Sequence, residues 1–319
     1  MNYWPVAIIV LFLLSWGLGA GNCSYPEIWQ LLTNGEISAS SKTILLDIRL
    51  PRLLAAFLAG AMLAAAGCAT QNLFRNDLGS PHVLGIVNAS ALGAVCGLFL
   101  GGWMMTPLGI IFGLLTLILL FAPGKIRGWD GATLILAGIA VNAFTSSLTS
   151  AALFLADERL NALVFWLLGG FWRISWQDVL IMAPTAIIGC GALFFLAPEM
   201  DMLLLGDRAA SLAGVPLQRV KPIALLAIAS LTAVAVSCCG VIGFVGLAVP
   251  HIVRIMLPAS FKRLLPGAIM AGGTLLLLAD LLARTIAAPL EIPVGILTAL
   301  GGGPFFFYLL LRKGRASND

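Results

Sequence analysis

Two histidines, His82 and His251, stand alone in a chain of 319 residues, and neither lies in a pattern that does chemistry. There is no H-E-x-x-H pair to bind zinc and no D-x-x-D pair inside an apolar stretch, so both read as packing or hydrogen-bonding side chains. Gly124-Lys125 is followed by Ile126, so the phosphate-cradling pattern G-x-x-x-x-G-K-[ST] fails. If ATP drives this protein, another chain hydrolyses it. The six cysteines, at 23, 68, 96, 190, 238 and 239, never form C-x-x-C. Adjacent Cys238 and Cys239 lack a third ligand nearby for a tetrahedral metal site, and they read as small apolar packing groups. The sequence thus offers no catalytic residue, no metal ligand set and no cofactor site of its own.

Two polar features remain. Asn142, Thr145, Ser146, Ser147, Thr149 and Ser150 interrupt an apolar helix, and positions 142, 146, 149 and 153 share one face. Hydroxyls can bond back to the carbonyl four residues earlier, so the serines and threonines have a bland reading beside that of a translocation route. Asn142 has no such escape in lipid and is expected to face protein or water. The second feature is the island 198–221, too polar to span a membrane. Leu203, Leu204 and Leu205 lead into Gly206-Asp207-Arg208-Ala209-Ala210, then Leu212 and Gly214 before Pro216. A short helix with an apolar edge, breaking at Gly214, suits docking into a groove on a partner. A helix lying on the membrane surface is the alternative.

The elements that carry these residues are set by composition. Only 32 residues are charged, 60% are hydrophobic and the mean hydropathy is +1.03, far outside the soluble globular range. A spanning helix needs about 20 mostly apolar residues, and a charge at its centre costs on the order of 2.5–3.5 kcal/mol. The sequence predicts an all-α polytopic membrane protein with ten spans: 4–21, 52–70, 83–102, 105–122, 132–155, 178–197, 222–239, 241–257, 264–283 and 294–311. One set of connections carries eleven Lys and Arg, including Arg75, Arg208, Arg219, Lys221 and Lys262, and the opposite set carries six: Lys42, Arg49, Arg52, Arg159, Arg173 and Arg284. That asymmetry predicts both termini in the cytoplasm. Residues 6–20 resemble a signal-peptide core, yet Met1–Pro5 lack positive charge and no A-x-A site follows, so a first span is expected. The net charge of +4 reports topology, and no basic stripe carries the interleaved aromatics of a nucleic-acid binder. Gly85, Ala89, Gly93, Gly97 and Gly101 recur every four residues, and Gly240, Gly243 and Gly246 every three. Such small-residue ridges mark close helix–helix seams in lipid.

Several stretches in order carry a family resemblance. Arg49-Leu50-Pro51-Arg52 opens the second span, Gly60 and Gly67 lead to Gln71, and Asn76-Asp77-Leu78-Gly79-Ser80-Pro81 precedes Leu84-Gly85-Ile86. Then come Leu136-Ala137-Gly138-Ile139, Trp166-Leu167-Leu168-Gly169-Gly170, Leu205-Gly206-Asp207-Arg208-Ala209-Ala210, and the run Gly243 to Arg254 with Pro250-His251 inside it. Ala279-Asp280-Leu281-Leu282-Ala283-Arg284 and Glu291-Ile292-Pro293-Val294-Gly295 close the series. From residue 49 to about 310 the chain resembles the FecCD family, the permease subunits of type II ABC importers for ferric siderophores, heme and vitamin B12.

The resemblance implies one transmembrane permease domain over 1–319, in the inner membrane of a bacterium, with ten spans and cytoplasmic termini. It implies a second permease subunit, identical or related, two cytoplasmic ATPase subunits that hold the ATP and magnesium, and a periplasmic binding protein. Coupling to the ATPase falls on Leu205, Gly206, Asp207, Arg208, Ala209, Ala210, Leu212 and Gly214. Docking arginines fall on Arg49, Arg52 and Arg284, on the outer side, where planar guanidinium forks would grip carboxylates of the binding protein. The cytoplasmic closure falls on Asp130, Gly131 and Ala132, beside the route face Asn142, Ser146 and Thr149. Asp77 stands where the family usually has proline, and Gly79 where alanine is commoner. The expected cargo is a ferric chelate of siderophore or citrate type, nearest the ferric dicitrate branch at Asp280–Thr298, with heme or vitamin B12 behind. The competing reading is a secondary transporter coupled to an ion gradient, which requires ionisable residues near mid-bilayer. Asp280 and Arg254 are the nearest to that requirement, and both sit toward span ends.

Overall fold

One long helix organises the chain. The computed structural model describes residues 4–17, 28–30, 33, 38–127, 131–257 and 260–316. After α1 (Trp4–Gly17), the helix α2 runs over Ala39–Phe74 with a π-helical stretch at Ile44–Arg49. At about 1.5 Å per residue its 36 residues span ~54 Å, well beyond a bilayer's hydrocarbon core. From Ala55 to Cys68 its side chains are mostly Ala and Gly, and most of them are buried, because only small residues let neighbouring backbones come close.

Around α2 stand α3 (Ile86–Phe99), α4 (Met105–Arg127), α5 (Gly131–Phe154), the short α6 (Leu160–Leu167) and α7 (Trp176–Phe195). The chain then passes through α8 (Ala197–Leu203) and α9 (Asp207–Leu212) into α10 (Leu217–Cys239), α11 (Val245–Met256), α12 (Phe261–Thr285) and α13 (Val294–Ala316). No strand occurs among the described residues. Among the described residues six helices are long and apolar enough to cross a membrane, and α3, α11 and Val294–Phe305 of α13 are shorter apolar helices.

The seams follow the small residues. A Cβ on Gly60 of α2 would overlap the carbonyl oxygen of Gly272 on α12, and one on Gly272 would overlap that of Gly60, so both backbones depend on the missing side chain. The four-residue ridge on α3 lies against α4, where Gly93 faces the Leu108 carbonyl and Gly97 faces Met104 and Met105. In lipid, where apolar side chains gain nothing from leaving water, this close contact is what holds the bundle together. α2 and α10 form its interior, and the outward faces of α4, α5 and α7 are largely exposed in the isolated chain.

Two expected spans are shorter than the sequence suggests. The third is helical only from Ile86, because residues 81–85 form a turn that ends at Gly85 with φ +81°. The eighth is helical only from Val245, after Gly240 with φ +73° and Phe244 with φ +64°. Here the glycines break the helix as well as thin it. The non-helical segments face each other across a cavity of about 240 Å³, lined by Ser80, Pro81, His82, Ile242, Gly243 and Phe244 together with Leu63 and Leu247. Irregular backbone at such depth is tolerated where protein or a cavity surrounds it.

Candidate functional site: an exposed tip and a buried charge network

The tip is built by two short helices. Pro198 starts α8, Gly206 turns the chain with φ +104°, and Gly214 ends α9 with φ +88°. Leu203 and Ala210 are buried against the bundle, whereas Leu204, Leu205 and Leu212 are 39%, 70% and 84% exposed. Arg208, Ala209 and Gly214 are exposed as well, and Gly206 is half-buried. The amphipathic run of the sequence therefore has a true apolar outer edge. Two expected contact residues differ from that picture. Ala210 faces inward because it seats α9 on the bundle, and the Asp207 carboxylate is held within the chain by Lys221, with Oδ2 2.5 Å from Nζ. Lys221, expected in a loop, lies inside α10 and is 2% exposed.

The three arginines expected to dock a binding protein are also buried, and each is held within the chain. Arg49, Arg52 and Arg284 are 4%, 8% and 5% exposed. Arg52 donates from Nε to Asp280 Oδ1 at 2.9 Å and grips Glu291 with Nη1 to Oε1 at 3.0 Å and Nη2 to Oε2 at 2.9 Å. Arg284 Nε lies 3.1 Å from Asp280 Oδ2 as an ion pair too bent for a hydrogen bond. Arg284 also donates to the Ser15 carbonyl, and Arg49 donates to those of Trp16 and Gly17. Two guanidinium groups thus meet backbone carbonyls of the last described turn of α1. The reason for burial is local: α1 and the segment before α13 close over the N-terminal half of α2 and the C-terminal end of α12. The π-helical stretch takes part, since the Trp16 and Trp176 indoles donate to its Leu45 and Leu46 carbonyls.

Asp280 and Glu291 were missed as partners by sequence reasoning. Asp280 and Arg284 sit four apart on one helix, which is a legible pairing signal; Glu291 has no local signal, because it meets Arg52 only through the fold. Both ionisable residues that a secondary transporter would need are engaged. Asp280 is fully buried between two arginines, and Arg254 pairs with Asp77 and donates to Asn72 Oδ1. The Asp77 that stands in place of the usual proline thereby ties the turn before α3 to the end of α11.

On α5, Asn142 is half-buried and donates from Nδ2 to the His82 carbonyl at 2.6 Å, so it fastens the turn that borders the cavity. Thr149 bonds back to the Thr145 carbonyl, and Ser146 is exposed. Gly131 and Ala132 open α5, with Gly131 beside Phe74 at the end of α2. Asp130 lies outside the described residues. Among the described residues no three His, Cys, Asp or Glu side chains gather as metal ligands.

The family model of the FecCD transport family matches residues 7–312. The chain belongs to the FecCD transport family. It is 37% identical to the hemin transport system permease protein HmuU of Yersinia pestis over 98% of this chain and 95% of that one. It is 38% identical to the Fe(3+) dicitrate transport system permease protein FecD of Escherichia coli, covering 90% and 91%. To the vitamin B12 import system permease protein BtuC of Yersinia pseudotuberculosis it is 35% identical, covering 96% and 91%. A solved structure described as an inward-facing conformation of a metal-chelate type ABC transporter superposes with a TM-score of 0.86, at 31% identity, over 97% of both chains. Permeases named for three different cargoes thus match this FecCD-family chain at 35% to 38% identity. Its relatives are permease proteins of transport systems, and this chain is a multi-pass, helical membrane protein.

Proposed function

We propose that this chain is the permease subunit of an ATP-driven importer in a bacterial inner membrane, a single ten-span domain with both termini cytoplasmic. It pairs with a second permease, identical or related, and with two ATPase subunits, and it receives a ferric chelate from a periplasmic binding protein. Hemin and vitamin B12 are the second choices of cargo, since permeases so named are matched as well as the dicitrate one. Transport follows by alternating access: the ATPase dimer displaces the tip, and the spans re-pack so that the route opens to one side at a time.

The observation that carries this reading is the exposed leucine edge at Leu204, Leu205 and Leu212 on an otherwise well-seated tip. Exposed apolar groups on a helical edge suit a groove in a partner, and the family match supports an ATPase as that partner. On this reading Leu205, Arg208, Ala209 and Leu212 meet the ATPase, while Gly206, Ala210 and Gly214 shape the tip. Asn142, Ser146 and Thr149, with the closure at Asp130, Gly131 and Ala132, border the route. Carboxylates of the binding protein would reach Arg52 by competing with Glu291.

The test is co-purification with the cognate ATPase subunits. Leu212→Glu is expected to detach them while the permease stays folded in the membrane. Ala210→Glu is expected to lower the yield of folded permease, because it buries a charge under α9. Retained ATPase with Leu212→Glu overturns the coupling reading.

A further inference from the structure

The tip is joined to the bundle by two aspartates. Asp201, in α8, accepts from the backbone N–H of Phe261 at 2.6 Å with Oδ1 and from the Ser260 hydroxyl at 3.0 Å with Oδ2, so it caps the N-terminus of α12. Asp207, the first residue of α9, pairs with the buried Lys221 of α10. These are the helices that matter for a bundle-wide response: α10 is largely interior, and α12 meets α2 backbone to backbone at Gly272 and Gly60. Between the two aspartates, Gly206 has φ +104°, and after α9 Gly214 has φ +88° with open space around it. A six-residue helix flanked by two such glycines would by itself be a hinged flap.

We propose that Asp201 and Asp207 are positioning residues that fasten the tip to α12 and α10, so that a push on Leu204, Leu205 and Leu212 moves those two helices rather than folding α9 over. The physical reason is asymmetry. Separating Asp207 from Lys221 would remove the carboxylate from an ammonium that is 2% exposed, which is far less favourable than breaking an exposed ion pair. Separating Asp201 from α12 would leave a helix N-terminal N–H without its acceptor. Both ties therefore stay closed under load, and the soft coordinates at Gly206 and Gly214 are bypassed. The inference rests on the coupling reading above and adds to it the path by which the displacement enters the bundle.

The experiment uses the complete complex with its ATPase subunits in lipid nanodiscs, in a background whose native cysteines are replaced. Spin labels are placed on cysteines at Ser211 and Leu226 to report α9 against α10, and at Ser211 and Lys262 to report α9 against α12; all three positions are exposed. Distances are measured without nucleotide and with ATP plus vanadate. The native ties are expected to give the same narrow distances in both states. The double variant Asp207→Ala with Lys221→Met removes the first tie and leaves an apolar residue in the buried position, so the bundle keeps its packing. It is expected to give a broad Ser211–Leu226 distribution that shifts with nucleotide. Asp201→Ala, which leaves no side-chain acceptor for the Phe261 N–H or the Ser260 hydroxyl, is expected to do the same for Ser211–Lys262. The exchanged pair Asp207→Lys with Lys221→Asp is expected to restore the narrow distance. Native distributions in both tie variants, in both nucleotide states, overturn the proposal. If Leu212→Glu detaches the ATPase while the tie variants behave as native, the tethers fall and the coupling reading stands. If Leu212→Glu leaves the ATPase bound, the coupling reading falls and the tethers with it.

Discussion

Arg52 and Glu291 are 239 residues apart in sequence and close a two-pronged ion pair, Nη1 to Oε1 at 3.0 Å and Nη2 to Oε2 at 2.9 Å. The pair links the N-terminal half of α2 to the residues that lead into α13. Arg52 also holds Asp280, which Arg284 holds from the same helix, so a substitution at any of the four is felt by the rest. Glu291 is the most accessible member, with 30% of its side chain exposed against 10% for Arg52.

That difference sets an expected order of effects. If carboxylates of a binding protein compete for Arg52, Glu291→Gln weakens the internal competitor and should tighten binding several-fold, while Arg52→Lys, a point charge without the planar fork, should weaken it. Surface-immobilised binding of the cognate periplasmic protein to purified permease complexes measures both. Equal weakening by both variants would mean that the network only shapes the outer end. Asp280→Ala is expected to lower stability by about 3–5 kcal/mol in thermal unfolding, because it leaves two buried cations without their shared carboxylate.

Gly60 and Gly272 offer a test of the bundle independent of charge. Gly60→Leu requires α2 and α12 to separate at a place where backbone faces backbone. Overpacking of this kind costs about 1–3 kcal/mol where neighbours can shift, and more is expected here because the obstacle is main chain. Gly191, with open space around it on α7, is the control, and Gly191→Leu should be nearly silent. The measurement is the melting temperature of the detergent-solubilised chain. Similar losses for both would refute the seam.

The polar face of α5 separates two roles. Single cysteines at Ser146 and Thr149 are expected to react with a small polar thiol reagent at rates that change with nucleotide in the full complex. Asn142→Ala should instead destabilise the chain by about 0.5–1.5 kcal/mol, since the half-buried His82 carbonyl loses the side-chain amide and keeps only the Gly85 N–H. Equal protection of both cysteines in every state would make this face a packing surface.

The class of this protein is legible in its hydropathy, because an apolar run of about 20 residues has almost no alternative to a spanning helix in lipid. The sequence also marks the island 198–221 as amphipathic, although only the fold shows that Leu203 turns inward while Leu204, Leu205 and Leu212 are exposed, and it shows the α3 ridge in its four-residue period. Where pairing runs between distant segments, local pattern carries no information. Nothing near residue 291 marks it as the partner of Arg52, nothing near Asp207 marks Lys221 as buried, and the glycines at 240 and 85 look like ridge members until the fold turns the chain at each. That Arg49, Arg52 and Arg284 are internal ties, that Ala210 faces inward and that Asn142 holds the turn before α3 follow from the fold alone. The physical reason is that burial and ion pairing depend on which helices close over a residue, and that is a property of the whole bundle.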